Sequence, residues 1–498
     1  MHLLIQEHHI TQLRSLLPYL QFILPNDPEY PAAISRWNPA NQRKPGIIAF
    51  PLTTQDVSYL VRFAHDNLLE IAVKGGGMGN RGSSTDGGLC IDLSGMRTVT
   101  VYPASKRVAA DGGALWSDVY AQLDEHDLAV VGGISPAVGV GGLSLHGGHG
   151  WLTGAHGLAL DQFLELEVVL ADGNIIRTSD TQEPDLFWAL RGAGSAFGVV
   201  TQFVLRAFEQ PNSVWTGRLV LANPTENINA VIKTANNILS EQEKGQSAMC
   251  WGWTVPRPET GPVIWVVPFY NGSEEEAKEF FAPLLNLGKS LIVNSTKAVP
   301  FSASASDGGG SSGEGLRKLG HGSAVMAPLD PAFFRGLYQD YATFMSRVPD
   351  AGKRTMIMFE IHNTKATTRL AQDATAYPNR GNQVNVQFVV TWAEKENDVA
   401  CEEWCRQFTK KMIDDFQRRR DESTVDDVTK DSVGLYSNYN GNFPHPPRIS
   451  QKLKDTDVST GFGLGAKDLF GVNYDRLVDL KKKYDSENLF YKFFDILE

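Results

Sequence analysis

The chain has 498 residues, of which 42% are hydrophobic and 21% are charged, a balance typical of globular proteins. Its formal net charge of −11 argues against nucleic acid as a partner, because phosphate binding needs a clustered excess of lysine and arginine. No stretch approaches the ~20 consecutive apolar residues of a membrane span. The four cysteines are interpreted as buried thiols, because neither a dense disulfide framework nor a metal-ligand spacing surrounds them.

The N-terminus contains an apolar run at residues 16–24 that could pass for the core of a signal peptide. Pro18 and Gln21 interrupt the run, and no small-residue cleavage pattern follows it. The sequence therefore predicts an amphipathic first helix and a cytoplasmic protein.

Up to about residue 212, predicted strands alternate with predicted helices. A strand at 46–51 precedes a helix that starts after capping residues at 53–56, with Val57, Leu60, Val61 and Ala64 at helical spacing. Further predicted elements are a strand at 89–93, a helix at 115–126, and strands at 164–170 and 199–205. This alternation is typical of an α/β or α+β domain.

After residue 212 the pattern changes to long helices between alternating strands. The predicted strands are 249–255, 262–270, 355–362 and 384–392, and the predicted helices are 226–244, 273–287, 331–347 and 397–420. We expect a sheet with helices over one face. The two-residue period puts Glu360, His362, Asn385 and Gln387 on the other face, which is either a pocket wall or open to solvent.

Residues 302–323 are rich in glycine and serine, and such a composition predicts a flexible segment. We expect a mobile loop near the active site, although an idle surface loop has the same composition.

Two dense glycine clusters, at 75–79 and 132–150, carry the functional signal. Consecutive glycines expose backbone N–H groups and allow close approach of the main chain, which suits a diphosphate. Neither cluster continues as a Walker loop or matches the Rossmann pattern. The clusters therefore predict a large nucleotide cofactor that binds through neither a Walker loop nor a Rossmann motif.

These clusters and several later motifs make the sequence similar to the FAD-linked oxidoreductases of the vanillyl-alcohol-oxidase superfamily, berberine-bridge-enzyme-like branch. The later motifs are Asp185-Leu186-Phe187-Trp188, Tyr377-Pro378-Asn379-Arg380, Tyr436-Ser437-Asn438-Tyr439 and the segments 470–477 and 483–490. The resemblance implies an α+β fold with a two-part PCMH-type FAD-binding domain, residues 1–212 and 433–498. It also implies a substrate domain at 213–432 with a mainly antiparallel sheet covered by helices. The resemblance favours a pocket-facing orientation of Glu360, His362, Asn385 and Gln387.

By the same resemblance, the first cluster would hold the FAD diphosphate and the second the flavin. Lys74 would add charge near the phosphates, although an exposed lysine explains it equally well. The residues expected to bind the cofactor are Lys74, Gly75, Gly76, Gly77, Met78, Gly79, Asn80, Ser84, Gly133, Ser135, Val138, Gly139, Gly142, Leu143, Gly147, Gly148, Gly150, Trp151, Val199, Val200, Asn438 and Tyr439.

The sequence departs from the family at both positions that attach FAD covalently in relatives. Met78 stands at the position of the tethering histidine, and Ser135 at that of the tethering cysteine. Neither side chain can form the family's flavin bond, so we expect non-covalent FAD.

In the family, the residue equivalent to Tyr439 can take the substrate's hydroxyl proton. Asn385 stands where some relatives carry a glutamate, and an amide can only orient substrate, so Glu360 is the candidate replacement carboxylate. His146 lies in the second cluster as either a site imidazole or a packed side chain, and His149 is interpreted as packing. The predicted catalytic residues are Tyr439, Glu360, His362, Asn385, Gln387 and His146.

The resulting hypothesis is an FAD-dependent oxidase or dehydrogenase of secondary metabolism. It would act on a largely apolar small molecule, pass a hydride to flavin N5 and be reoxidised by O₂. The alternative is a redox-neutral isomerase or Diels–Alder-type cyclase that keeps FAD as a structural wall.

Overall fold

The computed structural model describes residues 3–79, 82–240, 244–256, 261–305, 316–352, 355–422, 424–439 and 465–497. Asn80, one of the predicted cofactor-binding residues, lies outside this part of the chain. So does the stretch 306–315 of the predicted mobile loop.

The N-terminal half contains two main sheets. The first has the order β1-β2-β4-β3, with parallel pairing of β4 to β2 and to β3, and the second is antiparallel with the order β5-β6-β10-β8-β9, while β7 pairs with β11. The strands are β1 (Gln21–Ile23), β2 (Ile47–Phe50), β3 (Ile71–Lys74), β4 (Leu89–Asp92), β5 (Val99–Tyr102), β6 (Arg107–Asp111), β7 (Leu128–Ala129), β8 (Phe163–Val169), β9 (Ile175–Thr178), β10 (Val199–Arg206) and β11 (Phe208–Glu209).

The helices of this half are α1 (Glu7–Leu16), α2 (Tyr30–Ala33), α3 (Thr54–Asp66), α4 (Trp116–Asp124), α5 (Val140–Ser144), α6 (Thr153–His156) and α7 (Pro184–Ala193). Helix α3 begins where the sequence predicted, because the Thr53 side chain accepts the Asp56 N–H and caps the first turn. Its residues Val57, Leu60, Val61 and Ala64 are fully buried. The apolar run at 16–24 is not one helix: α1 ends at Leu16, and the run continues into β1.

The second half is built on a nine-stranded sheet, counted over the described residues. Its main order is β16-β13-β15-β14-β19-β20-β18, with β12 and β17 joined at one side, and all its pairs are antiparallel. The strands are β12 (Val214–Thr216), β13 (Leu219–Leu221), β14 (Ser247–Thr254), β15 (Val263–Tyr270), β16 (Leu291–Asn294), β17 (Lys297–Val299), β18 (Arg317–Met326), β19 (Met356–His362) and β20 (Gln383–Trp392).

Helices cover one face of this sheet. They are α8 (Pro224–Ser240), α9 (Glu274–Phe280), α10 (Ala282–Leu285), α11 (Pro331–Arg347) and α13 (Asp398–Arg420). Two short helices, α12 (Lys365–Thr368) and α14 (Asp427–Lys430), contribute no residue to this core, and α12 packs against α6. The core between sheet and helices contains Ile357, Phe359 and Ile361 from β19, and Val384, Val386, Phe388 and Val390 from β20. These are the apolar sets that the two-residue period assigned to the helix side, so the predicted α+β fold with a helix-covered antiparallel sheet is confirmed.

Two further predicted elements differ from the structure. The helix expected at 273–287 is split into α9 and α10, because Pro283 lacks the N–H that a continuous helix would use. The segment 302–323 was expected to be a flexible loop, but residues 317–326 form β18, which pairs with β20 over ten residues. Ladder hydrogen bonds and cross-strand packing override the weak strand propensity of its glycines and serine.

The C-terminal helices α15 (Ala466–Phe470) and α16 (Tyr474–Tyr484) return to the first half. Lys481 is completely buried there, and its Nζ donates to Ala196 O at 2.6 Å, to Phe490 O at 2.9 Å and to Asp485 Oδ2 at 2.6 Å. This ammonium therefore ties the C-terminus to the N-terminal half. Among the described helices, none is both long and apolar enough to cross a membrane.

Candidate functional site

A cavity of about 1230 Å³ lies between the two glycine clusters and the uncovered face of the nine-stranded sheet. Both predicted glycine clusters reach it, as do β13, β14, β15, β19 and β20 and the C-terminal segment around Phe493. The sheet face that the sequence left open between pocket and solvent therefore lines this cavity.

The two glycine clusters touch each other through main chain alone. A Cβ atom added to Gly76 would lie 2.5 Å from Gly139 N, and one added to Gly139 would lie 2.5 Å from Gly76 N. Gly77 has a φ of +70°, a conformation that L side chains rarely adopt. This contact positions the two loops side by side along one wall of the cavity.

The same wall has the features that a dinucleotide needs. A Cβ at Gly142, which lines the cavity, would meet no atom within 4 Å among the described residues. The Ser195 hydroxyl, also on the wall, is buried without a hydrogen-bond partner in the described part of the chain. An exposed glycine main chain and an unsatisfied hydroxyl fit the diphosphate and polar edge of FAD.

Most of the predicted cofactor residues line the cavity. They are Gly75, Gly76, Gly77, Met78, Gly79, Gly133, Ser135, Val138, Gly139, Gly142, Leu143, Trp151, Val199, Val200, Asn438 and Tyr439.

Five other predicted cofactor residues are not part of the lining. Lys74 Nζ donates to the buried Asp92 carboxylate at 2.7 Å, and Ser84 Oγ accepts the Arg43 N–H at 3.2 Å. Gly147 and Gly150 pack closely on neighbouring groups, and Gly148 N donates to the Tyr436 hydroxyl at 3.2 Å. These five residues contact other protein groups instead of the cavity.

Glu360 and Tyr439 form a hydrogen-bonded pair of titratable groups in the cavity. Glu360 is only 6% exposed, its carboxylate is hydrogen-bonded by the Tyr439 hydroxyl, and its Oε2 has no partner among the described residues. Burial raises the pKa of Glu360 to about 7, and the Tyr439 hydrogen bond opposes that rise. Burial and the Glu360 charge raise the pKa of Tyr439 well above 10.

Of the remaining predicted catalytic residues, Gln387 lines the cavity while Asn385 and His362 do not. Asn385 is the direct cross-strand neighbour of Glu360, and its buried Oδ1 has no partner within the described ranges. His362 instead contacts a second imidazole, His149, which does reach the cavity.

The two imidazoles belong to a chain of hydrogen bonds in which each group donates to the next, from the Tyr377 hydroxyl to the Asn363 carbonyl. His362 Nδ1 must donate to the Asn363 carbonyl, at 3.1 Å, so its Nε2 accepts from His149 Nδ1 at 3.0 Å. His149 Nε2 then accepts from the Tyr377 hydroxyl at 3.2 Å. Burial lowers the pKa of both histidines, so the chain holds two neutral rings.

His146 is a packed imidazole at the cavity wall. Its ring stacks on Phe493 with centroids 4.1 Å apart, and its Nδ1 lies 3.4 Å from Gly192 O. Burial lowers its pKa to about 3, so the ring is neutral at physiological pH.

Many lining residues were not predicted from the sequence, among them Trp37, Cys250, Lys492 and Phe493. Cys250 lies opposite Glu360 in the sheet, and only the strand register reveals this. Lys492 and Phe493 follow the predicted C-terminal motif, but nothing in their own residue types points to a site. No cluster of histidine, cysteine and acidic residues that could hold a metal occurs among the described residues.

Comparison with known proteins identifies the family. Residues 45–179 match the family described as "FAD binding domain", and residues 463–492 match "Berberine and berberine like". The chain is 30% identical over 516 residues to FAD-linked oxidoreductase pgmH of Aspergillus terreus, covering 99% of this chain and 96% of that protein.

Solved structures show the same fold. One is the berberine-bridge-enzyme-like protein 1 of Physcomitrella patens, with a TM-score of 0.75, 20% identity and coverage of 96% of this chain and 97% of that one. Another is the glucooligosaccharide oxidase of Acremonium strictum, with a TM-score of 0.75, 21% identity and coverage of 97% of both chains. The full-length relative and these folds agree with the glycine-walled cavity, and the chain belongs to the berberine-bridge-enzyme-like family of FAD-linked oxidoreductases.

Proposed function

We propose that this enzyme oxidises a largely apolar small molecule of secondary metabolism, with Glu360 as the proton acceptor and FAD held without a covalent bond. The observation that carries the proposal is the buried Glu360 carboxylate in the cavity. One of its oxygens accepts a hydrogen bond from Tyr439, and the other has no partner among the described residues. The full-length relative named an FAD-linked oxidoreductase supports the reaction class.

The substrate side of the cavity favours an apolar ligand. Its apolar lining includes Val220, Val255, Val263, Trp265, Val267, Met345, Met356, Met358 and Val389. Gln387, Thr254 and Thr391 add a few polar groups that can orient the ligand. Sites of this composition bind compact organic molecules by burial and fix their orientation by a few hydrogen bonds.

Glu360 is better suited than Tyr439 to remove the substrate proton. A group with a pKa of about 7 is half ionised at pH 7 and increasingly ionised above it, whereas a phenol with a raised pKa stays protonated. Tyr439 therefore donates its hydrogen bond to the Glu360 carboxylate and fixes its orientation, while Oε2 accepts the proton of a substrate hydroxyl. Gln387, on the adjacent strand, lines the cavity and can only orient the substrate, whereas Asn385 pairs with Glu360 outside the lining. When bound, FAD supplies the hydride acceptor at N5, and O₂ is the expected final oxidant.

Met78 and Ser135 support dissociable FAD. Both line the cavity, and neither a thioether nor a hydroxyl can replace the histidine or cysteine of a covalent flavin link. The Acremonium strictum oxidase, by contrast, carries a 6-S-cysteinyl, 8α-N1-histidyl FAD.

The test is anaerobic mixing of the purified yellow enzyme with a panel of apolar alcohols while flavin absorbance is followed. We expect bleaching with a substrate, recovery of colour when oxygen is admitted, and peroxide formation. Acid precipitation of the same sample should leave FAD in the supernatant. Many turnovers under nitrogen without bleaching, and with a product of unchanged mass, would contradict oxidation and establish a redox-neutral cyclase or isomerase. Flavin retained in the washed pellet would contradict non-covalent binding.

A further inference from the structure

One row of residues crosses the sheet beneath the cavity from its rim to Glu360. Cys250 is paired with Glu360 on one side and with Val267 on the other. The pairings of β12 and β13 with β15 keep the same register on either side of Gly217 and Arg218, and extending that register places Arg218 opposite Val267. Directly opposed residues share a face, so all four side chains face the cavity, and all four line it.

This geometry separates the two charged ends of the row. Three strand-to-strand steps lie between the Cα atoms of Arg218 and Glu360, a span of roughly 14 Å. Arg218 is exposed at the rim, whereas Glu360 is buried at the inner end. Between them Val267 and Cys250 are apolar, and the neighbouring row adds Val220 and Trp265.

Among the described residues, Arg218 is the cation of the cavity lining for which no intramolecular side-chain partner is found. Its guanidinium makes no ion pair, ring contact or hydrogen bond within the described part of the chain, where its backbone alone bonds to Ser295. The two other cations of the lining are engaged: Lys492 contacts the Glu70 carboxylate, and Lys318 Nζ donates to Trp37 O at 3.1 Å. Glu360 is the one carboxylate among the described lining residues, and its distance along the row prevents it from neutralising Arg218.

We infer that the substrate is an elongated amphipathic acid whose carboxylate, or an equivalent anionic group, binds Arg218 at the rim. Its apolar body lies over Val267, Cys250 and Trp265, and its reacting hydroxyl reaches the unpartnered Oε2 of Glu360. A guanidinium binds a carboxylate through two parallel hydrogen bonds, which adds orientation as well as affinity. This inference names the substrate class of the proposed oxidase site and rests on that proposal.

The experiment compares two rigid probes that differ in one group. Both are biphenyls with a phenolic hydroxyl group at one para position, whose carbon has no C–H bond and cannot give up a hydride; the other para position carries a carboxylate in one probe and a carboxamide in its partner. Binding to the FAD-loaded enzyme under nitrogen is followed through the perturbation of the flavin spectrum and analysed as Kd. The variants are Arg218→Gln, and Arg206→Gln as a control that removes an exposed arginine outside the cavity lining.

We expect the wild type and Arg206→Gln to prefer the carboxylate by about fivefold, a moderate factor because the rim is open to solvent. Arg218→Gln should bind both probes equally, and high salt should reduce the wild-type preference. An unchanged carboxylate preference in Arg218→Gln, or equal binding of the two probes by the wild type, overturns the inference, and so does a carboxylate probe that leaves the flavin spectrum unchanged. Because the measurement involves no electron transfer, these outcomes leave the redox proposal to its own test.

Discussion

The cavity has one wall of main chain and one wall of side chains. On the cofactor side, Gly76 and Gly139 approach each other so closely that neither can carry a Cβ atom. On the opposite side, alternate residues of β14, β15, β19 and β20 project a thiol, indole, thioether, carboxamide and carboxylate into the space. Substitutions on the cofactor wall should therefore impair FAD binding through steric clashes. Substitutions on the substrate wall should impair turnover through loss of a particular charge or hydrogen bond.

The largest effect is expected from a single methyl group on the cofactor wall. Gly76→Ala places a Cβ 2.5 Å from Gly139 N, so the two glycine loops must separate. We expect purified Gly76→Ala to contain little or no FAD, measured as the flavin-to-protein absorbance ratio.

The matched control is Gly336→Ala in α11, where an added Cβ meets no atom within 4 Å in the described residues. This variant should keep full FAD content and gain up to about 1 kcal/mol of stability, because alanine favours a helix over glycine. A Gly76→Ala protein with wild-type FAD content would contradict the backbone-contact account.

On the substrate wall, Tyr439→Phe removes one hydroxyl and keeps the ring. Turnover should fall by roughly 10²-fold, because the Glu360 carboxylate loses the group that orients it. The Tyr439 hydrogen bond lowers the pKa of Glu360, so its loss should also shift the midpoint of the pH–rate profile upward.

Tyr341→Phe serves as the control because its buried hydroxyl has no partner in the described structure and lies away from the cavity. It should change neither turnover nor midpoint. A Tyr439→Phe enzyme with an unshifted midpoint would show that the phenol does not act on Glu360.

A smaller effect concerns stability. The folded protein raises the pKa of Glu360 from the usual 4.5 to about 7, so it retains this proton at pH values where the unfolded chain has released it. Wild-type stability should therefore fall as pH rises from about 4.5 to 7, and Glu360→Gln should be free of this loss. At pH 8 we expect the variant to exceed the wild type by up to about 3 kcal/mol in urea unfolding.

The difference between the two proteins should largely disappear near pH 4. Glu226→Gln, at an exposed site, should follow the wild type at every pH. If Glu360→Gln is less stable than the wild type at pH 8, burial does not destabilise the charged form of the Glu360 carboxylate.

The sequence predicted the cofactor wall more completely than the substrate wall, for physical reasons. Glycine clusters are rare enough to mark the cofactor wall. The two-residue period of β19 and β20 put Glu360 and Gln387 on the face opposite the helices, and the family resemblance favoured this face as a pocket wall. The pairing of Glu360 with Tyr439 was not predictable, because Tyr439 is distant in sequence and reaches the cavity through tertiary contacts.

Strand register is a second feature of the site that could not be predicted from the sequence. Arg218 and Cys250 join Glu360 in one row only because of how β13, β15, β14 and β19 align, and local sequence contains no such information. Similarly, β18 is a strand because β20 offers it ten partners, although its composition predicts a loop.

The central claim, that Glu360 accepts the substrate proton during oxidation, is tested most directly by the rate of flavin bleaching under nitrogen. The rate is measured from pH 5 to pH 9 for the wild type and for Glu360→Gln with the same alcohol. We predict that the wild-type rate rises with pH around a midpoint near 7, as the carboxylate ionises. In Glu360→Gln the rate should be 10²–10⁴-fold lower and should lack this midpoint. A variant that bleaches within about threefold of the wild-type rate, with the same pH profile, would contradict the account.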